Sequence, residues 1–504
     1  MNASFCSFFV IVITVFFIVI GMMFDSKLTT RIDTKTLEIP DGTCKVAGWN
    51  RVAFNNFTDF ARMKKFSDEG AARFDNILFS ESRLVSAFVY PDKIAVITSA
   101  MHTYGKPATC LYYDCNRQEL PNSTFDSFVM PMAVVHCPRR YGAEFVSVSV
   151  SENATVPEPI PLTFRAFEKP VHEIAVCVGP LYGNESKWLE IVEFVEHYRL
   201  VGASYFYFTL FSIHSYDRRI IDDYSRLGLA EANTFQLEYE HPKWQFHMLQ
   251  TNECHHRSRM HSKWVFNVDI DERFVYTGPG DLRFYLRSIP STIGELSVST
   301  NRVKKTETMP EKFSNGTLLQ EMLFLKYNQT TEISWYNPKG IIRPELVSFL
   351  FYHWSFMQSE GVKVMSVPKR IAHLRHYRST DPNALNGGWE KFYSGKYHES
   401  RLDEKFEIAL VKAVENRVKY VYQQRMIDCE EITGTLFERH PRSIFDCRFS
   451  NETLYVYSMF IFASHILLRT ATGSRSKKGH VQEAMANWFS ADFRSDVLLF
   501  FGSV

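Results

Sequence analysis

The most apolar stretch of the chain lies at its beginning, where Phe5–Phe24 runs for twenty residues without a charged side chain. A helix of about 20 apolar residues is long enough to cross the hydrocarbon core of a bilayer. A cleaved signal peptide is the alternative, but its apolar part is usually about 7–15 residues long and follows a basic start. Here no basic side chain precedes the run, and no small-residue cleavage pattern follows it. The pattern predicts an uncleaved transmembrane anchor at residues 5–24, preceded by a short tail at residues 1–4.

The hydrophobic pattern changes twice before the middle of the chain. Residues 25–80 are polar and mixed, as expected of a stem. Residues 81–168 contain short apolar runs, several alternating with a period of two and rich in Val, Phe and Tyr, separated by turn residues. This alternation is typical of antiparallel strands, so we expect a β-rich domain. The proline-rich segment 156–161 then reads as a linker.

After Pro170 the chain alternates between runs of strand length and segments with helical spacing. The predicted strands are His172–Val178, Ser204–Phe211, Asn233–Leu237 and Lys263–Val268, and the predicted helices are Lys187–Leu200, Asp217–Leu227 and Trp244–Met260. Alternating strands and helices predict an α/β domain with a mostly parallel sheet and helices on both faces. We assign residues 170–425 to this domain and residues 426–504 to a C-terminal extension. Ligands of such sheets bind beyond the carboxyl ends of the strands.

Charge and composition narrow the classes of protein that fit. The 504 residues include 57 Lys and Arg against 56 Asp and Glu, a net charge of +1. This balance argues against nucleic acid as the main partner, because such proteins carry clustered excess cations. A hydrophobic share of 45% also excludes an intrinsically disordered chain.

The flanking charges and the glycosylation sequences disagree about the side of the membrane on which the body lies. Lys27, Arg31 and Lys35 follow the anchor, and the positive-inside rule would place them in the cytoplasm. Seven Asn-x-Ser/Thr sequences point instead to the lumen. They begin at Asn56, Asn122, Asn153, Asn184, Asn315, Asn328 and Asn451.

The cysteines also favour the lumen. Of the nine, Cys6 lies in the predicted anchor, which leaves an even number outside the membrane. An even number suits disulfides in an oxidising compartment. No CxxC pair suggests zinc, and the close pair Cys110 and Cys115 is predicted to form a disulfide loop.

An acidic motif, Asp269-Ile270-Asp271-Glu272, follows the last predicted strand. Alternate side chains of an extended backbone share a face, so Asp269 and Asp271 are expected to point into one cleft. Two carboxylates there suit Mg²⁺ or Mn²⁺ and leave positions free for phosphate oxygens. The alternative is a strand end with solvated acids, because Asp-x-Asp is common by chance. His255, His256 and His261 match no zinc motif.

Several separate blocks of the chain resemble glycosyltransferase family 92. The blocks are Cys177–Gly183, Trp188–Tyr198, Gly202–Phe208, Gln250–Cys254, Ser262–Arg273, Ile341–Glu345, Phe351–Trp354 and His376–Arg378. They span Glu173 to Arg378 in the order of the family, and the chain looks like a member of its nematode set. Asn252-Glu253-Cys254 departs from the expected Asn-Asp-Cys but keeps an acid.

This resemblance implies a GT-A-like nucleotide-sugar fold in a single-pass type II Golgi membrane protein. It implies inverting transfer of galactose from UDP-galactose to a glycan acceptor, such as a fucose-bearing N-glycan, with Mn²⁺ or another divalent ion on the Asp-x-Asp motif. It also favours the lumenal orientation, and the β-rich stretch is similar in position to the carbohydrate-binding module of plant relatives. A catalytically silent, lectin-like protein on the same fold is the alternative function.

Within this family context, Asp269 and Asp271 are the expected ligands of the metal and diphosphate. His376 and His353 are candidate third metal ligands, Arg378 a candidate phosphate ligand and Tyr182 a candidate uracil contact; the alternatives are packed histidines and a surface ion pair. An inverting transfer also needs a general base. The sequence does not choose among the candidate carboxylates Glu295, Glu321, Glu345 and Asp381.

Overall fold

A computed structural model describes the central part of the chain. It covers residues 44–424 except 54–56, 58, 72–82, 100–103, 131–132, 151–154, 236–242, 352, 382–388 and 390–395. The predicted anchor at residues 5–24 and the predicted extension at residues 426–504 therefore lie outside the described residues. Within the described ranges, no helix has the length and apolar character needed to span a bilayer.

The described chain is a mixed α/β structure. Its helices are α1 (Phe60–Ala71), α2 (Trp188–Val201), α3 (Ser215–Arg226), α4 (Lys243–Ser258), α5 (Leu282–Ser288), α6 (Leu318–Glu321), α7 (Leu323–Lys326) and α8 (Glu404–Lys419). The first strands are β1 (Leu84–Val89), β2 (Lys93–Thr98), β3 (Pro107–Tyr113), β4 (Phe125–Phe128), β5 (Val134–Pro138), β6 (Phe145–Ser149) and β7 (Ile160–Phe164).

A second group of strands follows in the chain. They are β8 (His172–Val178), β9 (Tyr205–Leu210), β10 (Ala230–Thr234), β11 (Ser262–Val268), β12 (Glu272–Tyr276), β13 (Ile293–Lys305), β14 (Gln329–Thr330), β15 (Ser334–Ile342), β16 (Val347–Leu350), β17 (Ser355–Gln358), β18 (Lys363–Ser366), β19 (Ala372–Ser379) and β20 (His398–Glu399). Short 3₁₀ turns occur at Gly48–Asn50 and Pro344–Leu346, and a π turn at Tyr420–Gln424 extends α8.

Strands β1–β7 form one sheet in the order β4-β3-β6-β7-β1-β2-β5. Its pairings are antiparallel except for β1 with β7, which is parallel. Alternate residues of β1 and β2 enter two different cores, as a period of two requires. Val89 and Val96 face one core, while Phe88 and Ile97 face another that also contains Leu249 of α4. This sheet is therefore packed on both faces.

Strands β8–β15 and β18–β20 form the second, eleven-stranded sheet, with the main path β10-β9-β8-β11-β15-β13-β14-β20. Strands β10, β9, β8 and β11 run parallel, whereas β15 pairs antiparallel with both β11 and β13. Alternate residues of β8 again face opposite sides. Val176 belongs to the core that contains residues of α2, α3 and α8, and Cys177 faces Cys254 of α4.

Three disulfides link the described residues: Cys44–Cys115, Cys110–Cys137 and Cys177–Cys254. The predicted loop between Cys110 and Cys115 is wrong. Cys110 lies on β3 and is fully buried, so it bonds to Cys137 on β5 across the core, whereas Cys115 lies in an exposed turn and reaches Cys44.

The strand directions bring several chain segments to one edge of the second sheet. Because β15 is antiparallel to both β11 and β13, strands β8, β11 and β13 all run the same way, and β19 pairs parallel with β13. The residues after the carboxyl ends of β8, β11 and β13 consequently meet at the same edge, together with the end of β19.

Candidate functional site

A cleft of about 390 Å³ opens at this edge. Its lining residues come from the ends of four strands, from the loops that follow them and from helices α2 and α4. They are Gly179, Pro180, Tyr182–Glu185, Lys187, Glu190, His247, Asp269–Asp271, Lys305, Glu307, Thr308 and Tyr377–Ser379. Both carboxylates of the Asp-x-Asp motif therefore line a single cleft.

The backbone around the motif is a turn. Asp269 follows β11, and Ile270 and Asp271 turn the chain into β12 at Glu272. The Asp269 amide donates to the Glu272 carboxylate at 2.9 Å, and the Glu272 amide donates to the Asp269 carbonyl at 3.0 Å. The expectation that extended backbone aligns the two side chains is thus wrong in its reason, because a hydrogen-bonded turn brings both into the cleft.

The carboxylate of Asp269 contacts two basic side chains. Lys339 of β15 donates to Oδ2 at 2.9 Å, and His247 Nε2 of α4 lies 2.9 Å from Oδ1. Burial alone would raise the pKa of Asp269, but His247 and Lys339 outweigh it and hold the pKa well below its ordinary value. Asp269 is therefore an anion whose two oxygens are oriented by neighbouring elements.

Glycine is required at the end of β8 because Asp269 lies directly against it. A Cβ added to Gly179 would stand 2.5 Å from Asp269 Oδ1, closer than real contacts permit. The backbone is also fixed there, since the Gly179 amide donates to the Val268 carbonyl at 2.8 Å. The loop after β8 can approach the acidic motif only because this position carries no side chain.

Asp271 contacts a different set of groups, all from strand β19. His376 Nε2 lies 3.2 Å and the Arg378 guanidinium 3.8 Å from Asp271 Oδ2. The antiparallel register pairs His376 with Glu272, and Nδ1 of His376 lies 3.4 Å from the Glu272 carboxylate. Burial raises the pKa of Asp271, but His376 and Arg378 lower it to about 2, so this carboxylate is ionised at neutral pH.

Tyr182 and Arg378, the candidate uracil and phosphate contacts, both line the cleft. Burial, together with the charges on Asp269 and Asp271, raises the pKa of the Tyr182 hydroxyl to about 12. Tyr182 is consequently a neutral hydroxyl at one side of the cleft.

His353 lies in the turn between β16 and β17 rather than among the cleft-lining residues of the described chain. Burial and the charge of Lys339 lower its pKa to about 3, against the opposing effect of Asp269. Among the residues for which positions are described, no group of three or more His, Cys, Asp or Glu side chains is arranged to hold a metal ion.

The four candidate bases lie away from the cleft lining. Glu295 is buried and accepts hydrogen bonds from the amide and hydroxyl of Ser355, Glu321 pairs with Lys326 at 2.9 Å, and Glu345 and Asp381 are exposed. The carboxylates that line the cleft besides the acidic pair are Glu185, Glu190 and Glu307.

Sequence reasoning missed most of the basic residues of the site. Lys187 and Lys305 line the cleft with Arg378, and Lys305 lies 3.8 Å from Glu190. Burial opposes the charge on Lys305, yet Glu190 and Asp271 raise its pKa. Lone lysines and His247 carry no motif. The fold brings them to the acidic pair from the start of α2, from α4 and from the end of β13, an arrangement that a single sequence does not reveal.

The comparisons with known proteins concern the part of the chain that builds the cleft. Residues 172–410 match the family model described as Glycosyltransferase family 92. None of the curated proteins compared with the chain matches it.

Among solved structures, the chain is similar to b-glucuronidase from Ruminococcus gnavus in complex with D-glucuronic acid, with 12% identity and a TM-score of 0.14. The apo structure of that enzyme gives 11% identity and the same TM-score of 0.14. Each alignment covers 37% of this chain and 36% of the other. The chain thus spans little more than a third of these structures, and a likeness this weak carries no argument.

Proposed function

We propose that residues 172–410, which belong to glycosyltransferase family 92, form a glycosyltransferase domain. This domain moves a hexose from a nucleotide-sugar donor to a glycan. UDP-galactose is the proposed donor, and a glycan such as a fucose-bearing N-glycan is the proposed acceptor. The domain would have the GT-A-like arrangement that the resemblance implies. The observation that carries the proposal is the cleft, in which two ionised carboxylates face basic side chains at the carboxyl ends of the strands.

The donor set at the cleft fits a divalent cation. Asp269 and Asp271 each expose about a quarter of their side chain, whereas the two imidazole nitrogens of His376 lie 3.2 Å from the Asp271 carboxylate and 3.4 Å from the Glu272 carboxylate. Mg²⁺ and Mn²⁺ are commonly held by one or two carboxylates, with substrate phosphates and water completing the shell. We propose that Mn²⁺ or a similar ion is held by Asp269 and Asp271, with phosphate and water oxygens completing its shell, where it would neutralise charge on the departing diphosphate.

The chain's own residues supply the rest of the chemistry. Lys187, Lys305 and Arg378 place fixed positive charge along the cleft, where it would attract the diphosphate and stabilise it as a leaving group. Tyr182, at the side of the cleft formed by the loop after β8, is proposed to contact the uracil. The base must accept a proton from the acceptor hydroxyl, which requires a carboxylate within hydrogen-bond reach of that hydroxyl.

The compartment is part of the proposal. Three disulfides and the Asn-x-Ser/Thr sequences suit an oxidising, glycosylating compartment. We propose a single-pass type II protein of the Golgi membrane, anchored by residues 5–24, with its body in the lumen. Mass shifts on treatment of the native protein with an N-glycosidase test this orientation, and their absence would contradict it.

A donor screen combined with a charge-neutral variant tests the proposed reaction. The full-length chain in detergent with Mn²⁺ is expected to consume UDP-galactose, and Asp271→Asn is expected to lower the rate by at least about a hundredfold. Asp68→Asn, on the exposed face of α1, is the matched control and should retain full activity. Activity with another UDP-sugar alone would change the donor but keep the class, whereas unchanged turnover in Asp271→Asn would refute the role of this carboxylate.

The second candidate is a lectin-like protein that reads glycans without transferring sugar. The observation that favours it is the aromatic residue Trp354, which is 47% exposed to solvent. Glycan binding by the full-length chain, with no consumption of any UDP-sugar in the same screen, would support this candidate over the enzyme.

A further inference from the structure

The turn between β16 and β17 presents a cluster of aromatic rings, which we call the aromatic turn and define as Phe351, His353 and Trp354. Trp354 is 47% exposed. Its ring lies 5.0 Å from the ring of Phe351 and stacks at 22° on the ring of His353, with 6.0 Å between centroids. The cluster offers an apolar ring surface to solvent.

Hydrogen bonds hold the described residues at both ends of the aromatic turn. The Phe351 amide donates to the Trp354 carbonyl at 2.9 Å, which closes the turn. On one side, the buried amide of Asn252 bonds both the carbonyl and the amide of Leu350. On the other, the buried Glu295 carboxylate accepts from the Ser355 amide at 2.7 Å. A surface fixed in this way loses little conformational entropy when it binds.

One residue of the aromatic turn, His353, is affected by the charges of the residues around the acidic motif. His353 interacts with the charges of Lys339, Asp269 and His247. Lys339 and His247 are the two basic side chains that contact Asp269. His353, whose ring stacks on Trp354, therefore lies near enough to Asp269 and its two basic partners for their charges to act on it, although it does not line the cleft.

The uncharged rings of the aromatic turn suit a sugar ring of the acceptor better than the anionic nucleotide diphosphate of the donor. An anionic nucleotide diphosphate is matched by the lysines and Arg378 of the cleft, not by Phe351 and Trp354, which carry no charge. A pyranose ring instead combines hydroxyls at its edge with an apolar face of C–H groups. Rigid aromatic rings offer contact area to such a face at a low entropic cost.

We propose that the aromatic turn is the acceptor-binding platform, on which a pyranose ring of the glycan acceptor stacks against Trp354. This inference rests on the proposed function and assigns the acceptor side of the same site. It also gives Glu295 and Asn252 a role, as positioning residues that hold the turn rather than as groups that touch the reacting atoms.

Steady-state kinetics of the full-length chain test the platform. With UDP-galactose as donor and a fucose-bearing N-glycan as acceptor, Trp354→Ala is expected to raise the KM for the glycan about tenfold, and Trp354→Phe by less. The KM for the donor should change by less than about twofold, a split that a general loss of structure would not produce. Tyr141→Ala removes another exposed aromatic ring, 57% exposed, and should leave both KM values unchanged. An unchanged KM for the glycan in Trp354→Ala would overturn the platform.

A binding measurement without donor separates this inference from the proposed function. Calorimetric titration of the same N-glycan into the full-length chain should give a Kd that rises about tenfold in Trp354→Ala. If the chain consumes no UDP-sugar yet shows this rise, the platform stands and the transferase proposal falls. If the chain transfers sugar and Trp354→Ala binds the glycan as well as the original chain does, the platform falls alone.

Discussion

Lys339 is the residue on which the charge balance of the acidic motif depends most directly. Its side chain is only 1% exposed, and its ammonium lies 2.9 Å from Asp269 and 3.4 Å from Glu272. Burial disfavours the charged ammonium, but the two carboxylates reverse this effect and raise the pKa of Lys339. A buried cation is thereby compensated by two anions that would otherwise repel each other.

Replacing Lys339 by Met is expected to lower the free energy of unfolding by about 3–5 kcal/mol, because two carboxylates would lose their buried counter-charge. Urea denaturation of the full-length chain measures this loss. Lys363→Met, at an exposed position of β18, is the matched control and should change the free energy by less than about 0.5 kcal/mol. Adding Glu272→Gln to Lys339→Met should recover part of the loss; equal stabilities of the two lysine variants would contradict the pairing.

At this scale the sequence reveals one half of each ion pair. An acidic pair after an apolar strand is visible as a motif, so Asp269 and Asp271 are predictable. Their partners are not, since Lys339 lies 70 residues and His376 105 residues further along the chain. His376 and Arg378 are predicted as ligands because of the resemblance to a family, since their spacing in the sequence carries no signal.

At the scale of elements, the disulfide Cys177–Cys254 joins β8, which ends at the cleft, to α4, which carries His247 and Asn252. Both of its cysteines are almost completely buried. The bond therefore fixes the helix that orients Asp269 against the strand that precedes Gly179.

The double variant Cys177→Ala/Cys254→Ala is expected to lose about 2–5 kcal/mol of unfolding free energy, measured by denaturation under oxidising conditions. Cys44→Ala/Cys115→Ala is the matched control, because its bond closes a loop of 71 residues against 77. The entropic contributions of the two bonds should be nearly equal, because the loops are of similar length. The variant at Cys177 and Cys254 should therefore lose more unfolding free energy, because it also removes buried packing. A smaller loss for Cys177 and Cys254 would contradict this reasoning.

The elements that sequence periodicity predicts best are the long ones with an apolar face. The helices predicted at Lys187–Leu200 and Trp244–Met260 occur at Trp188–Val201 and Lys243–Ser258. The strand predicted at Asn233–Leu237 overlaps β10 (Ala230–Thr234) only at Asn233 and Thr234, because the pairing with β9 begins earlier in the chain, and residues 236–237 lie outside the described residues. The prediction of a mostly parallel sheet is wrong, because about half of the pairings between the described strands of the second sheet are antiparallel. A single sequence does not reveal this order, because it depends on long-range pairing.

At the scale of the molecule, three buried histidines lie where the first sheet meets α4. His136 of β5 packs edge-on to His256, which contacts His255 in the same way, and His136 stacks on Phe349 at 4.7 Å. Neither ring nitrogen of His136 has a hydrogen-bond partner among the residues that the structure describes. Burial is the main cause that lowers the pKa of all three histidines, and the charges of Lys93 and Arg259 lower it further for each of them. The pKa of His255 falls to about 3.

Acid should therefore weaken the described unit. The unfolded chain binds protons at these histidines below about pH 6.5 while the folded chain does not, so stability falls as the pH drops from 6.5 towards the folded pKa values. At pH 5.5 each such histidine is expected to cost about 1.4 kcal/mol. The Tm of the full-length chain at pH 7.5 and 5.5 measures this effect. His136→Phe should show a smaller drop in Tm, and an equal drop would exclude His136 as a source.

The residues that form the cleft are synthesised at different times, because they lie far apart in the chain. Gly179, Asp269 and Asp271 leave the ribosome before Lys339, and Lys339 before His376 and Arg378. At a synthesis rate of roughly 5–20 residues per second, His376 and Arg378 are added several seconds after Asp269 and Asp271. The anions of the site thus precede their counter-charges during synthesis, and the cleft is among the last parts of the domain to be completed.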